Sequence, residues 1–196
     1  MGKIFYVMGK SASGKDTIYK KLLERLPQLK RVIPYTTRPI RDGEKDGEEY
    51  YFTAGEKLEE FRRANKIIEE RTYETVYGPW CYFTVDDGQI DLEGEEGYLM
   101  IGTLESYEKT RSYYGEEYLI PIYVEVEDGD RLLRALERER TQKVPKYKEL
   151  CRRFLADEED FKEENLKRCG IERRFCNNEL EGCIDEIAKD VEKSLS

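Results

Sequence analysis

Short apolar runs alternate with helical periodicity along most of the chain. The continuous run at 4–8 ends at a glycine and predicts a buried strand of a parallel sheet. After a glycine-rich turn, the segment 16–26 carries apolar residues at four-residue intervals, which predicts a helix that Pro27 ends. Strand, turn and helix therefore occupy the first part of the chain.

The segment 33–85 has a different pattern and predicts a small, mostly β insertion. An apolar, β-branched stretch at 31–36 predicts a strand or extended segment, and a turn-rich, charged stretch follows it up to the strand-like EEYYFT. A short helix is predicted over 56–64, and 66–83 is rich in the residue types that favour β structure.

The remainder returns to alternating strands and helices. Apolar runs at 98–101 and 120–126 predict two further buried strands. The other predicted elements are a helix over 131–140 with leucines and a charged outer face, a second charged helix over 147–167, a short strand at 175–176 and a closing helix over 180–195. This alternation predicts an α/β fold with a parallel sheet.

Composition excludes several chemistries. The chain has 196 residues with 34 Lys+Arg and 43 Asp+Glu, a net charge of −9, and it contains no histidine. The acidic balance disfavours a nucleic-acid binder, whose footprint is usually a basic face. Without histidine there is no Ser-His-Asp or Cys-His nucleophile and no histidine metal ligand. Catalysis must run on carboxylates, lysine, arginine, cysteine, tyrosine, backbone amides or a bound ion.

The cysteines and apolar segments indicate a location inside the cell. The five cysteines form no CxxC pair and are odd in number, so we expect reduced thiols rather than a disulfide framework or a zinc site. No segment has the roughly 20 apolar residues of a membrane span, and the N-terminal run is too short for a signal peptide. We expect a cytoplasmic protein that does not contact a membrane.

The turn GKSASGKDT at 9–17 matches the phosphate-loop pattern G-x-x-x-x-G-K. Its two glycines allow a tight turn whose amide groups converge on an anion, and the helix that follows directs its N-terminus at the same point. Lys15 adds a positive charge for phosphate oxygens. The residues predicted to bind ATP phosphates are Gly9, Ser11, Ala12, Ser13, Gly14, Lys15, Asp16 and Thr17.

Asp16 stands where this pattern usually has serine or threonine. A carboxylate beside a polyphosphate is repulsive unless a cation lies between them, so Asp16 is a candidate ligand of Mg²⁺. The alternative is that Asp16 is an acidic residue at a helix start, where it is favourable to the helix dipole.

The segment TTRPIRDGEKDGEEYYF at 36–52 is similar to the guanylate kinase signature, in which T-T-R is followed by Arg, Gly-Glu, Gly and Tyr-x-Phe. The segment KIIEERTYETVYGP at 66–79 resembles the family's run from a guanine-binding Glu to a Tyr-Gly pair. RALERERTQ and CRRFLADEEDF resemble its arginine-bearing lid, and FCNNEL resembles the strand end near the donor adenine. The resemblance covers nearly the whole chain.

The resemblance implies a phosphate-loop nucleoside monophosphate kinase fold and ATP-dependent phosphoryl transfer, with GMP as the favoured acceptor. ATP and Mg²⁺ are the implied cofactors, and small nucleotides are the implied partners; the oligomeric state stays open. The implied organisation is a core at 1–32, 92–127 and 166–196, an acceptor-binding insertion at 33–91 and a lid at 128–165.

The same resemblance assigns roles to individual residues. Arg38, Arg41 and Tyr50 would hold the acceptor's monophosphate, with Tyr77 as a further contact. Glu69 would accept hydrogen bonds from the base, with Thr103 beside it, and Asn177 would lie near the adenine. The catalytic candidates are Lys15, Arg38 and the lid arginines Arg138, Arg140, Arg152 and Arg153.

The chain departs from the family around the base. Pro34 and Tyr35 stand where the family has a serine, Pro79 replaces a hydroxyl residue, and Gly102 lies where an acidic residue usually reads guanine. Glu69 is then the one retained base contact, so we expect weaker discrimination for GMP or a different acceptor.

Two other functions stay open. Ribose 1,5-bisphosphate phosphokinases resemble guanylate kinases and carry G-K-D in this loop. Non-catalytic guanylate-kinase-like modules bind proteins, but they typically lose the phosphate-loop lysine, and this chain keeps Lys15.

Overall fold

The computed structural model describes residues 1–41, 43–75 and 78–195. Its elements in chain order are β1 (Lys3–Met8), α1 (Lys15–Arg25), β2 (Leu29–Arg31), β3 (Tyr35–Thr36), β4 (Tyr51–Phe52), α2 (Gly55–Arg63), β5 (Ile67–Thr75), β6 (Gly78–Val85), β7 (Gly97–Ile101), α3 (Leu104–Tyr114), β8 (Leu119–Glu125), α4 (Asp128–Arg140), α5 (Tyr147–Asp160), α6 (Glu163–Arg168), β9 (Arg174–Cys176) and α7 (Leu180–Leu195).

A parallel sheet in the order β2-β7-β1-β8-β9 forms the centre of the molecule. The predicted apolar runs supply β1, β7 and β8, which pair in parallel and are buried on both faces. Helices α1 and α7 cover one face, where Ile18 and Ile187 are fully buried. Helices α3 and α6 cover the other face through Tyr107 and Leu166. The predicted α/β class with a parallel sheet is confirmed.

The insertion forms a second sheet in the order β4-β3-β6-β5. Strand β6 runs antiparallel to both β3 and β5, and α2 packs on this sheet through Leu58, which lies with Phe83 and Val85 in a small core. The β character predicted for this region agrees with the structure. The proposed boundaries at 33 and 91 stay predictions.

The structure differs from the local predictions in three places. Over 31–36, predicted as a strand or extended segment, β2 ends at Arg31 and β3 begins at Tyr35. The predicted helix over 147–167 is two helices, separated where Phe161 turns into the core. Helix α3 was not predicted; it begins at a capping box in which the hydroxyls of Thr103 and Ser106 each accept from the other's backbone N–H.

Helix α4 buries the opposite face from the one its leucines predict. Leu132, Leu133 and Leu136 are 41%, 54% and 39% exposed, whereas Arg131 is 1% exposed. The reason is that α4 packs against the phosphate loop and α5 rather than against a sheet, and this contact is made of charges. The outer face carries charged residues such as Arg140, as predicted, but it also carries the three leucines, whose implied burial was wrong.

All five cysteines are free thiols, two of them buried. Among the helices of the described segments, none has the length and apolarity needed to cross a membrane.

Candidate active site

The phosphate loop connects the carboxyl end of β1 to the first turn of α1, as the sequence predicts. Both of its glycines are required by close approach. A Cβ on Gly9 would lie 2.5 Å from the carbonyl oxygen of Val124, and a Cβ on Gly14 would lie 2.4 Å from Nδ2 of Asn177. Gly14 also has φ +88°, in the left-handed region that favours glycine.

The loop has the features of an anion cradle. The Oγ of Ser13 is buried without a hydrogen-bond partner among the described residues. Ala12 adopts φ 63°, which turns the backbone between the two glycines. The Lys15 side chain is 22% exposed and its Nζ lies 3.4 Å from Oδ2 of Asp16. An orphaned hydroxyl, a partly buried ammonium group and a helix N-terminus together fit bound phosphate groups.

The surroundings of Asp16 bear on the magnesium prediction. Its side chain is 80% exposed, and the neighbouring Thr17 is also exposed. Within the described ranges no group of three or more Cys, Asp and Glu side chains could hold a metal ion. Mg²⁺ commonly takes one or two protein oxygens and completes its shell with water and substrate phosphates, so the residues present fit that mode.

Asn177 supports the loop from behind. Its Nδ2 donates to the carbonyl oxygen of Ser13 at 2.8 Å, and its backbone N–H donates to the carbonyl of Glu125 at 2.8 Å. The residue is 4% exposed, and Arg134 donates to its carbonyl oxygen at 3.0 Å. The structure therefore gives Asn177 a supporting position under the loop; its proximity to an adenine stays a prediction.

Arg38 lies in a buried, ordered position on the insertion. It is 3% exposed, and its Nη1 and Nη2 donate to the two carboxylate oxygens of Glu44 at 2.7 and 2.6 Å. The guanidinium lies 5.1 Å from the ring centre of Tyr50 and 5.2 Å from that of Phe52. Its Nε is buried without a hydrogen-bond partner among the described residues. Arg38 and Tyr50 are thus brought together as predicted.

Arg41 joins this group through its backbone. Its N–H donates to Oε2 of Glu44 at 2.9 Å, and its side chain is exposed. The hydrogen bonds from Arg38 hold the pKa of Glu44 below its ordinary value. Tyr77, the other predicted phosphate contact, lies outside the described residues. The pairing with Glu44 shows that the Arg38 guanidinium binds a planar anion through two parallel hydrogen bonds.

Glu69, the predicted base contact, is already paired. Its side chain is 1% exposed, and it accepts from Nε of Arg71 at 2.9 Å, from Nη2 of Arg71 at 3.3 Å and from Oγ1 of Thr84 at 2.9 Å. Nη1 of Arg71 donates to Oγ1 of Thr103 at 3.2 Å. Arg71 therefore joins both predicted base-site residues, and sequence analysis missed it. Its position two residues after Glu69, on the same face of a strand, is the signal that could have identified it.

Gly102 has no room for a side chain. A Cβ there would lie 2.2 Å from the Tyr6 hydroxyl and 2.5 Å from Oγ of Ser106. Those two groups hydrogen bond at 2.7 Å, and burial raises the pKa of Tyr6 well above its ordinary value. The glycine and the buried tyrosine therefore occupy together the volume that an acidic side chain at 102 would need.

The lid arginines fall into two groups. A cavity between the phosphate loop, α4 and α5 is lined in part by Arg138 and Arg153. Arg152 points to Glu149, to which its Nε and Nη2 donate at 2.8 and 2.7 Å, and Arg140 is exposed in the last turn of α4. Arg153 also donates to Glu149 at 2.8 Å, and these pairs lower the pKa of Glu149 to about 2.

A group of ionic contacts joins α4 and α5 to the phosphate loop. The guanidinium of Arg131 donates to Asp128 at 2.8 Å, to Glu158 at 2.7 Å and to Asp157 at 3.2 Å. Lys10 of the loop pairs with Glu158 at 2.6 Å, and Asp157 accepts from the N–H of loop residue 11 at 2.8 Å. Arg131 also lies 4.3 Å from the ring centre of Phe154. These contacts, called the lid network below, were not foreseen from the sequence.

Comparisons with known proteins agree with this geometry. The guanylate kinase family model matches residues 1–82. A guanylate kinase of Porphyromonas gingivalis is 26% identical over the full length of both chains. One from Symbiobacterium thermophilum is 41% identical over 51% of this chain and 45% of its own length. One from Nostoc sp. is 39% identical, but the match spans only 37% of this chain and 36% of that protein.

The fold comparison extends further along the chain. The crystal structure of guanylate kinase from Anaplasma phagocytophilum superimposes with a TM-score of 0.65, covering 99% of this chain and 86% of that one, at 21% identity. The family match over the first 82 residues, the full-length relative and the shared fold make this chain similar to guanylate kinases from end to end.

Proposed function

We propose that the protein transfers the γ-phosphoryl group of ATP to a nucleoside monophosphate, with GMP as the acceptor. The observation that carries this proposal is the phosphate loop, which is formed with both glycines and Lys15 in place. A buried, ordered Arg38 on the insertion supplies the second phosphate site that such a transfer needs.

The chemistry follows from positioning and charge. An acceptor phosphate oxygen attacks the γ-phosphorus, forming one P–O bond as the bond to the bridging oxygen of ADP breaks in line. That oxygen is already anionic, so no general base is needed, which suits a chain without histidine. Lys15 and the N-terminus of α1 stabilise the charge on the donor phosphates. Asp16 would hold Mg²⁺, whose charge would further neutralise the donor phosphates when it is bound.

Arg38 would orient the acceptor. Glu44 fixes the guanidinium before the acceptor arrives, and the Tyr50 and Phe52 rings pack against it. The acceptor's phosphate therefore meets an ordered donor, which reduces the entropy lost on binding. Arg138 and Arg153 line the cavity beside the loop, where they would face the transferring group.

One observation favours a second candidate. Asp16 follows the loop lysine, and this G-K-D sequence also occurs in the ribose 1,5-bisphosphate phosphokinases that the chain resembles. That acceptor has no base, so the missing base contacts at 79 and 102 would not matter. A binding module without catalysis is disfavoured by the retention of Lys15.

The test is an ATP-coupled transfer assay on the purified protein. The panel is GMP, dGMP, AMP, UMP, CMP and ribose 1,5-bisphosphate, each compared by kcat/KM. Transfer to none of them would refute the enzyme proposal, and transfer only to ribose 1,5-bisphosphate would select the second candidate.

The acceptor site is tested by Arg38→Ala. We expect a higher KM for the acceptor and a lower kcat, with ATP affinity unchanged, because the guanidinium would hold only the acceptor. Arg63→Ala is the matched control, since Arg63 is exposed on α2 and contacts its own helix. Equal weakening of ATP and acceptor in Arg38→Ala would show that the residue is misassigned.

A further inference from the structure

We propose that Arg71 is a specificity-determining residue, and that it restricts the acceptor base to 6-oxopurines by binding their O6 and N7 atoms. The inference rests on the proposed function and on the family resemblance, which implies that the acceptor base lies beside Glu69. It differs from a direct readout by Glu69, because the base would meet a guanidinium and not a carboxylate. GMP and IMP, which share O6 and N7, would then be equivalent acceptors.

The strand geometry places Arg71 on the same side of the insertion as Arg38, the residue proposed to bind the acceptor's phosphate. A bulge between Ile67 and Glu69 shifts the register of β5, after which Arg71 pairs with Tyr82 of β6. Directly paired residues of antiparallel strands lie on the same face. The Tyr82 ring is 5.6 Å from the ring of Tyr50, which in turn packs on Arg38. The rings of Tyr82 and Tyr50 therefore lie between Arg71 and Arg38.

The hydrogen-bond inventory shows what this site can offer a base. A guanidinium has five N–H groups, and Arg71 directs two to Glu69 and one to Thr103. The remaining two have no partner among the hydrogen bonds of the described residues. The Arg71 side chain is 13% exposed, so these donors are partly withdrawn from water. A partly buried guanidinium with two available N–H groups can bind a ligand that has two neighbouring hydrogen-bond acceptor atoms.

Glu69 is poorly placed to accept hydrogen bonds from the N1–H and amino groups of guanine. The N1–H and exocyclic amine of guanine need two acceptors side by side, and both carboxylate oxygens already accept from Arg71, one of them also from Thr84. The hydroxyl of Thr103 likewise accepts from Arg71 and from the N–H of Ser106. Internal donors therefore take three of the roughly four lone-pair sites of the Glu69 carboxylate, whereas two donors of Arg71 remain.

Base chemistry then selects the ligand class. Guanine and hypoxanthine present O6 and N7 as two neighbouring acceptors, the pair that an arginine binds bidentately. Adenine presents N7 beside an amino group, which would oppose an N–H of Arg71. The 2-amino group that distinguishes GMP from IMP contacts nothing in this arrangement. The predicted acceptors are therefore 6-oxopurine monophosphates as a class.

The first experiment compares kcat/KM for GMP, IMP, AMP and 7-deaza-GMP with the unaltered protein. We expect GMP and IMP to agree within about threefold, because the group that differs is not read. AMP and 7-deaza-GMP should be lower by roughly 10- to 100-fold, the range for losing one bidentate contact. A value for IMP more than about 30-fold below that for GMP would overturn the inference.

The second experiment releases Glu69. In Arg71→Ala the carboxylate becomes free to accept from N1–H and the 2-amino group, so the ratio of GMP to IMP should rise by about 10-fold or more. The double variant Arg71→Ala/Glu69→Gln should return the ratio to near one, because an amide presents a single acceptor oxygen. If Arg71 had a purely structural role, Arg71→Ala would lower kcat/KM equally for GMP and IMP. An unchanged ratio of the two values would therefore refute the assignment.

Binding measurements separate this inference from the proposed function. Calorimetric titration of GMP, IMP and AMP into the protein without ATP tests the base site alone. Similar affinities for GMP and IMP without any transfer would refute the kinase proposal and support the Arg71 assignment. Transfer to GMP with rejection of IMP would support the kinase proposal and refute the Arg71 assignment. If Arg71→Ala does not fold by circular dichroism, the comparison of GMP with IMP in the unaltered protein decides the matter.

Discussion

Replacing Arg131 with methionine should detach α5 from the phosphate loop. The guanidinium is 1% exposed, and its partners Asp157, Glu158 and Asp128 are 15%, 39% and 44% exposed. Removing one partner of a buried ion pair costs about 3–5 kcal/mol, because the other charge is left without compensation. Two of the three carboxylates here reach water and keep Lys10 as a partner. We therefore expect a loss of about 2–3 kcal/mol in the free energy of unfolding.

The stability penalty of Arg131→Met should depend on pH in a definite direction. Partial burial raises the pKa of Asp128, but the hydrogen bonds and charges of Arg131 and Lys10 outweigh it, so the pKa lies below its ordinary value. A carboxyl group with a depressed folded-state pKa stabilises the fold above its unfolded pKa, near 4, and loses that contribution as the pH falls through the folded pKa. The penalty of Arg131→Met should therefore be largest at neutral pH and shrink in acid.

The assay is urea unfolding followed by circular dichroism, at neutral pH and again below about pH 4. Arg140→Met is the matched control, since Arg140 is exposed on the same helix and should change stability by less than about 0.5 kcal/mol. A penalty for Arg131→Met no larger than the control, or one that stays constant as the pH falls, would refute this account of the lid network.

The remaining predictions concern the phosphate loop and the thiols. Lys15→Ala should reduce phosphoryl transfer by orders of magnitude without changing the unfolding midpoint, and unchanged turnover would refute the loop's role. Gly14→Ala should lower stability by more than about 1–2 kcal/mol, because φ is +88° and the new Cβ would contact a buried amide at 2.4 Å; Gly55→Ala, which meets no atom within 4 Å, is the control in thermal unfolding. In alkylation of the native protein followed by mass spectrometry, the exposed Cys151 and Cys176 should react first, and Cys183, whose pKa burial raises to about 11, should react only after unfolding.

The core sheet and the phosphate loop could be predicted because their signals are local. A continuous apolar run such as 4–8 has few alternatives to a buried parallel strand, and the loop glycines follow it directly. Helix α3 was missed because three tyrosines, two serines and a threonine interrupt its helix-forming residues, and because its capping box uses Ser106 in place of the usual Glu or Gln. The break at Phe161 depends on a core contact with Tyr123, 5.5 Å away between ring centres, which no local pattern reports.

The site was harder to predict where its contacts cross the chain. Glu69 and Arg38 were identified through a sequence signature, but their present partners were not part of it. The pairing of Arg71 with Thr103 joins residues 32 positions apart. On α4, the leucine spacing normally indicates a buried face, yet the buried position belongs to Arg131, whose carboxylate partners arrive from α5. Charge complementarity between distant segments is not visible in a single sequence.

The contact between Tyr6 and Gly102 restricts how this chain can evolve. An acidic side chain at 102 would meet the Tyr6 hydroxyl at 2.2 Å, so that substitution is unfavourable while the tyrosine is present. Losing the hydroxyl first removes its hydrogen bond to Ser106, at a cost of about 1 kcal/mol. Each single change is therefore less stable than the starting pair, and the stability effects of the two positions are coupled. A chain with Tyr6 and Gly102 is therefore separated by a less stable intermediate from one with an acidic residue at 102.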